Sequence, residues 1–375
     1  MNPVYLDYNA TTPLDPRVVD AMLPWLRVGT GNPSSSHHWG REARAAVDQA
    51  RLHVADLLGC QVNELIFTSG GSEANNHALK GTAWARRDLG RHLVVSAVEH
   101  PAILEPAAWL EREGWRVSIV PVDAHGVVDP ASVKAALTEE TVLVSVMHAN
   151  NETGVLQPLA AIAEVLADHQ AWLHADCAQS VGKVPVKIQD LGIDMVSVAG
   201  HKLYGPKGVG ALFVRDGLSL ENLIHGAGHE QGRRAGTEAV GALAAFGEAC
   251  RLAGMDLDDE MGRMRDLRDH LAAKLREVRP DAVVHGEAVE RLPNTLSIGF
   301  PGLVAPDILA RVEDQLGASA GAACHGSGGE VSGVLAAMGV PAQVALGTIR
   351  LTVGRFTTED EVQRAIDLLT PVIGC

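Results

Sequence analysis

The fold class of this chain is indicated most clearly by residues 171–215, which read AWLHADCAQSVGKVPVKIQDLGIDMVSVAGHKLYGPKGVGALFVR. This stretch holds three short apolar runs, at 171–176, 194–200 and 210–215, with polar or glycine-rich segments between them. The runs are continuous in Val, Leu, Ala and Met rather than alternating, which is typical of strands that are buried on both faces. This stretch therefore predicts neighbouring strands in a sheet that other elements cover on both sides.

Four similar apolar runs precede this stretch, and helical segments lie between them. Strands are predicted at 64–69, 92–98, 115–122 and 141–149, and helices are predicted to begin at Ser72, Pro101, Pro130 and Pro158. Alternation of strands and helices indicates a mostly parallel sheet with helices on both faces. The predicted fold class is therefore α/β, with a mostly parallel seven-stranded sheet.

The character of the chain changes near residue 255. A charged amphipathic helix is predicted at 255–278, and beyond it strands at 294–300 and 348–354 mix with helices. This second part of the chain predicts a smaller α+β domain.

Composition excludes several classes of protein. The chain has 375 residues, 46% of them hydrophobic, and a net charge of −15. Length predicts more than one domain, and the acidic surface argues against direct binding to nucleic acid or to anionic membranes. No apolar run is long enough for a membrane helix, and the first residues lack the pattern of a signal peptide. We therefore expect a soluble cytoplasmic protein.

The cysteines fit a reducing compartment. There are five of them, none in a CxxC spacing, so the sequence predicts no zinc ribbon, no thioredoxin-like motif and no metal site. They are Cys60, Cys177, Cys250, Cys324 and Cys375.

Three polar features are predicted at the carboxyl ends of the strands, where ligands gather in such sheets. Lys202, in SVAGHKLYGPKGVGAL (197–212), sits at the edge of a dry pocket and can form a Schiff base. Asp176 can pair with a protonated pyridine nitrogen. The turn TSGGSEANN (68–76) opens a helix and leaves free N–H groups for a phosphate. Each feature alone has an ordinary structural explanation, but one molecule, pyridoxal 5'-phosphate, satisfies all three.

With these three features, the chain resembles a cysteine desulfurase of the fold-type I, class V aminotransferase group. Nine motifs occur in the order of that family: LDYNATTPLDP (6–16), GNPSSSHHWGREAR (31–44), TSGGSEANN, EHPAI (99–103), NNETG (150–154), HADCAQS (174–180), GHKLYGPKGVGAL (200–212), RRAGTE (233–238) and IRLTVGRFTTEDEV (349–362). The resemblance implies a pyridoxal-phosphate-dependent transferase fold. It implies a large cofactor-binding domain at 15–255, and a small domain at 1–14 and 256–375 that carries the catalytic cysteine loop.

The resemblance also implies a role for each matching residue. Lys202 would carry the cofactor, His100 would stack on its ring and assist proton transfer, and Cys324 would take the sulfur. The other cofactor contacts would come from Asp176, Gln179, Gly71, Ser72, Asn151, His201 and, across a homodimer, Thr237. Asn32 and Arg350 would hold the substrate carboxylate, a role that suits the planar fork of an arginine.

Cys324 lies in GASAGAACHGSGGEVSG (317–333), whose small residues favour a mobile loop. Such a loop can bring a thiol to a bound substrate and then to a partner. Cys177, beside Asp176, is the rival thiol, and we interpret it as a packing residue.

The expected reaction converts L-cysteine to L-alanine and leaves a persulfide on Cys324. Selenocysteine lyase and an ordinary class V aminotransferase remain alternatives. Ala199 stands where many relatives have a serine that contacts the phosphate, and His325 follows Cys324 as in selenocysteine lyases and the desulfurases of DNA phosphorothioation. The chain also ends soon after its last predicted helix, 359–373. The sulfur-acceptor protein could thus be an iron–sulfur scaffold or a DNA sulfur-modification partner.

Overall fold

The computed structural model describes residues 3–255, 257–320 and 331–374. The strands of these residues are β1 (Val4–Tyr5), β2 (Leu65–Thr68), β3 (His92–Ser96), β4 (Arg116–Val120), β5 (Thr141–Ser145), β6 (Trp172–Asp176), β7 (Met195–Ala199), β8 (Gly210–Val214), β9 (Val283–Val284), β10 (Thr295–Gly299), β11 (Leu316–Gly317) and β12 (Thr348–Thr352).

The helices of the described residues are α1 (Pro16–Arg27), α2 (His38–Leu58), α3 (Gly71–Arg86), α4 (Pro101–Arg112), α5 (Pro130–Ala136), α6 (Leu159–Leu166), α7 (Ile188–Leu191), α8 (Val240–Met255), α9 (Leu257–Val278), α10 (Ala305–Ala310), α11 (Gly333–Ala337), α12 (Ala342–Ala345) and α13 (Glu359–Ile373). Side chains cap the starts of two of the predicted helices. Asp129 accepts the N–H of Ala131 at the start of α5, and Thr358 forms a capping box with Glu361 at the start of α13.

The central sheet has seven strands in the order β2-β8-β7-β6-β5-β3-β4. Only β8 runs antiparallel to its neighbours β2 and β7. It follows β7 after a short turn, and a parallel pairing would require a longer crossover. The predicted mostly parallel seven-stranded sheet is confirmed.

Six strands of this sheet are buried on both faces, as their continuous apolar runs predict, whereas the edge strand β4 is largely exposed. In β8, Ala211 and Phe213 join one hydrophobic cluster, whereas Leu212 and Val214 join another. Successive side chains of a strand point to opposite faces, so the two clusters are the layers between the sheet and its helices.

A smaller sheet of order β12-β10-β9 has its own core. The cluster around it draws residues from 4–6 and from 264–373, including Leu6, Leu271 and Ile349. This separation supports the predicted domain division at 1–14, 15–255 and 256–375, which stays a prediction. Within the described ranges, no helix is both long enough and apolar enough to cross a lipid bilayer.

Candidate active site

Eight of the predicted site residues line one cavity of about 310 Å³ at the edge of the central sheet. They are Gly71, Ser72, His100, Asn151, Asp176, Gln179, His201 and Lys202. The sheet explains why residues so far apart in sequence meet. Strands β3, β5, β6 and β7 run parallel, so the segments that follow them emerge at the same edge.

The turn between β2 and α3 approaches the sheet closely at one glycine. A Cβ on Gly210 would lie 2.4 Å from the carbonyl oxygen of Val198 and 2.8 Å from the Cα of Gly70. Only a glycine at position 210 lets the turn rest against β8. The start of α3 is thereby held at the cavity.

The amino end of α3 offers an anion site. Its N-cap is Gly70, with φ of 145°, a backbone conformation that favours glycine, and no side chain caps the helix. Gly71 and Ser72, the first residues of the helix, line the cavity. Unsatisfied N–H groups and the helix dipole favour a phosphate here.

His201 lies near this helix end and is a neutral group. Burial and the charge of Lys202 lower its pKa to about 4, and its Nδ1 lies 3.2 Å from Thr11 Oγ1. Ala199 also lines the cavity, so the hydroxyl that many relatives place there is absent from this position.

The carboxylate of Asp176 is held by two donors and is only 7% exposed. Its Oδ1 accepts the N–H of Ala178 at 2.9 Å, and its Oδ2 accepts the amide Nδ2 of Asn75 at 2.7 Å. We did not single out Asn75 from the sequence, although it lies in the motif TSGGSEANN. The segment around it, GSEANNHALK, is rich in polar residues, so nothing in the local pattern marked Asn75 as the one that faces Asp176.

Lys202 has a partly buried amine without a carboxylate bonded to it among the described residues. Its Nζ donates to the backbone carbonyls of Asn9 and Ala10, the latter at 2.9 Å. Burial and the nearby charge of Arg350 lower its pKa to about 8, although Asp176 opposes this effect. A lowered pKa makes the neutral, nucleophilic amine available near neutral pH.

His100 caps α4 with one ring nitrogen. Its Nδ1 accepts the N–H of Ala102 at 3.0 Å. In the neutral ring the proton must therefore sit on Nε2. This leaves Nε2 as the atom that can take part in proton transfer.

A buried network fixes the amide of Gln179. Lys183 donates from Nζ to Gln179 Oε1 at 2.9 Å, and Gln179 donates from Nε2 to the carbonyl of Asn9 at 3.0 Å. A lysine ammonium or amine hydrogen can only point at the oxygen of the amide, so the NH₂ group must face the other way. The second hydrogen of that NH₂ group is then available to an acceptor in the cavity.

Sequence reasoning missed Lys183 and Asn9. Burial lowers the pKa of Lys183 well below its ordinary value, and the charges of Lys202 and Arg350 act in the same direction. The signal available was a lysine in the apolar segment VGKVPV. Asn9 had no comparable signal, because its partners lie at distant positions in the chain.

Arg350 reaches the site from the smaller sheet but does not line the cavity. Its Nη1 donates to the carbonyl of Asn151 at 3.0 Å, and its Nη2 to Asp7 Oδ1 at 2.7 Å. Its Nε has no hydrogen-bond partner among the described residues. Arg350 is thus paired, and its role toward a substrate carboxylate stays a prediction.

Asn32 and Thr237 are exposed and do not line the cavity of their own chain. Asn32 Oδ1 accepts the N–H of Ser34. Their predicted contacts with the substrate and with a neighbouring subunit stay predictions.

Cys324 and Cys375 lie outside the described residues. Of the described cysteines, Cys177 is fully buried and packs in the large core, in agreement with its interpretation as a packing residue. Burial raises the pKa of Cys177 and Cys250, and raises that of Cys60 to about 12. None of these three thiols is favoured as a thiolate.

The chain matches the family model for class V aminotransferases over residues 4–365. It is 42% identical to the cysteine desulfurase IscS of Dictyoglomus turgidum, over 99% of this chain and 94% of that protein. The chain belongs to the cysteine desulfurases of this family.

Solved structures agree with that assignment. A NifS-like protein matches with a TM-score of 0.93 and 34% identity over 99% of both chains. SspA in complex with cysteine matches with a TM-score of 0.83 and 31% identity over 95% of this chain and all of the other. The predicted family, fold type and cofactor, pyridoxal 5'-phosphate, are confirmed.

The residues of the cavity fit this cofactor. The open helix end suits its phosphate, the carboxylate of Asp176 suits its pyridine nitrogen, and the amine of Lys202 suits its aldehyde carbon. Asn75 Oδ1, which is buried beside Asp176, has no hydrogen-bond partner among the described residues. A polar cavity with an unsatisfied group is consistent with a polar ligand.

The lowered pKa of Lys202 predicts the pH dependence of cofactor uptake. Only the neutral amine can attack the aldehyde, so the rate for the cofactor-free protein should rise with pH and level off above about 8. A lysine side chain in water has a pKa of ~10.4, so a lysine with an ordinary pKa would give a midpoint at that pH. Arg350→Gln should shift the midpoint upward, because it removes a charge that lowers this pKa. Stopped-flow absorbance measures the rate, and a midpoint near ~10 in the unaltered protein would contradict the assignment.

Lys183→Met should shift the titration of the bound cofactor. Methionine fills the volume but cannot donate to Gln179, so the amide loses the bond that fixes its orientation in the cavity, where the resemblance to the family assigns it the ring hydroxyl of the cofactor. Loss of about one hydrogen bond should raise the midpoint of the absorbance change by roughly 0.5–1 pH unit. The exposed Lys187→Met is the control. A lower melting temperature with an unchanged midpoint would show that Lys183 is only structural.

Proposed function

We propose that this enzyme converts L-cysteine to L-alanine and collects the sulfur as a persulfide on Cys324, from which an acceptor protein takes it. The observation that carries this proposal is the single cavity shared by Lys202, Asp176 and the start of α3. The sequence relatives named above supply the substrate class.

The cofactor, when bound, supplies an electron sink for the pair left at the substrate Cα. Asp176, held by Asn75 and Ala178, keeps a negative charge where the ring nitrogen would sit. Lys202, with a pKa of about 8, takes the Cα proton and can return a proton at a neighbouring carbon. His100 assists with the proton on Nε2.

The Cys324 thiolate then attacks the sulfur of the substrate. An S–S bond forms, the Cβ–S bond breaks, and its electron pair stays with the carbon fragment. That fragment gains a proton and leaves as L-alanine.

The ends of the described chain on either side of 321–330 are anchored beside the site. Ser319 exchanges two backbone hydrogen bonds with Arg350, and Ser332 Oγ donates to Glu152 Oε2 at 2.5 Å. Cys324 is five residues beyond Ser319, and five extended residues span at most about 17 Å. The length of the chain therefore allows the thiol to reach a substrate that Arg350 holds.

We also propose a homodimer in the cytoplasm. Thr237 is exposed and does not line the cavity of its own chain, as expected of a residue that reaches the phosphate of a neighbouring subunit. The described cysteines are free, which fits a reducing compartment. The acceptor is either an iron–sulfur scaffold or a DNA sulfur-modification partner.

Comparing two substrates separates this proposal from the selenocysteine lyase alternative. We expect the enzyme to turn over L-cysteine and release L-alanine when no keto acid is added. Alanine release from L-selenocysteine alone would overturn the proposal in favour of the lyase, and a requirement for a keto acid would favour an aminotransferase.

A further inference from the structure

A second cavity, of about 780 Å³, lies where α9 meets the segment 286–293 and the large domain. Leu156 and Val184 contribute from the large domain, and Met261 and Ala272 from α9. None of the predicted site residues that the structure describes lines it. Its volume is in the range of small-molecule sites.

Four arginines line this cavity, and they are unequally paired. Arg276 forms a bidentate pair with Glu287, at 2.6 and 2.5 Å, and Arg268 bonds to Asp269 at 2.8 Å. Arg265 is the third arginine, and it lies on the exposed face of α9. The four arginines outnumber the three acids of the lining, Asp269, Glu287 and Glu290, in a chain whose net charge is −15.

Arg291 is the fourth, and it is buried with little compensation from acids. Its side chain is 9% exposed, and its nearest acid is Asp269, at 3.9 Å, which Arg268 already engages. Its Nη1 is buried and has no hydrogen-bond partner among the described residues. Burial and the charge of Arg268 lower its pKa to about 10. A buried cation in this state is costly unless an anion compensates it.

His148 provides a second unsatisfied group in the same cavity. It is 6% exposed, and its Nδ1 has no partner among the described residues. Burial lowers its pKa to about 4, so the ring is neutral. Its chain neighbours Met147 and Ala149 line the cofactor cavity, and its backbone N–H donates to the carbonyl of Asp176. One extended segment therefore separates the two cavities.

We propose that this second cavity binds a small organic or inorganic oxyanion, a carboxylate or a phosphate, with Arg291 as the main charged donor and His148 as a neutral partner. The concave setting of Arg291 favours a small molecule over a protein surface. This inference is independent of the proposed function, because it uses none of the residues of the desulfurase site.

Calorimetric titration of the holoenzyme at low ionic strength tests the proposal, with citrate in one arm and inorganic phosphate in the other. Bound cofactor keeps its own phosphate site filled. We expect saturable binding in at least one arm, and the arm that saturates identifies the oxyanion class. Arg291→Leu should weaken binding at least about tenfold, as should Arg265→Leu, which changes an exposed residue and tests the cavity without disturbing the core.

Arg311→Leu is the matched control, because Arg311 is an exposed arginine outside the cavity. It should leave the affinity unchanged. No saturable binding in either arm would overturn the proposal. Equal weakening by all three substitutions would also overturn it, since the effect would then come from net charge rather than from this cavity.

Discussion

Lys202→Ala is expected to lower the turnover of L-cysteine by at least roughly a thousandfold, since one side chain supplies both the covalent anchor and the base. Its amine lies in the cavity with Asp176, and within the described part of the chain no other lysine lines that cavity. Lys183, the nearest alternative in the network, is buried and already bonded to Gln179. Alanine release by the variant, measured after saturation with cofactor, checks the expectation.

The exposed Lys207→Ala is the control for this prediction, because it lies in the same glycine-rich turn. It should turn over L-cysteine at close to the rate of the unaltered enzyme. Residual activity of Lys202→Ala within about tenfold of the unaltered enzyme would show that another group removes the Cα proton.

Cys324→Ala should form no protein persulfide and release almost no L-alanine. The thiolate is the group that accepts sulfur, and the three described cysteines have raised pKa values that disfavour it. Trapping of persulfides with an alkylating reagent, followed by mass spectrometry of the peptides, locates the sulfur. Binding of cofactor should be unaffected, because every residue assigned to the cofactor lies outside 321–330.

Cys177→Ala tests the rival thiol. Cys177 is fully buried, so this variant should lose some stability, typically a few kcal/mol at most, yet still carry the persulfide on Cys324. Full persulfide formation in Cys324→Ala, together with its loss in Cys177→Ala, would reverse the assignment of the two residues.

Six of the seven strands could be predicted because they are buried on both faces, so that their sequences are nearly continuous apolar runs; the edge strand β4 is largely exposed and was predicted from a mixed run. The apolar run at 210–215 forms β8, but the residues of this run do not indicate that the strand is antiparallel. Direction depends on how far the chain must travel between strands, and the turn after Lys202 is too short for a crossover.

The site was predictable only where a residue follows a strand or opens a helix. Asp176 and Lys202 follow adjacent strands, so their meeting is a consequence of the parallel sheet. Asn9 accepts from Lys202 across 193 positions, and Arg350 donates to Asp7 across 343. Contacts of that separation form where the segment 7–9 packs against both domains, and no local pattern encodes them.

The most direct test of this account is the location of the covalent link to the cofactor. Borohydride reduction of the holoenzyme makes that link permanent, and peptide mapping by mass spectrometry then finds the lysine that carries it. The added mass is expected on the peptide that contains Lys202. The same mass on Lys183 or Lys207, or on no lysine at all, would contradict it.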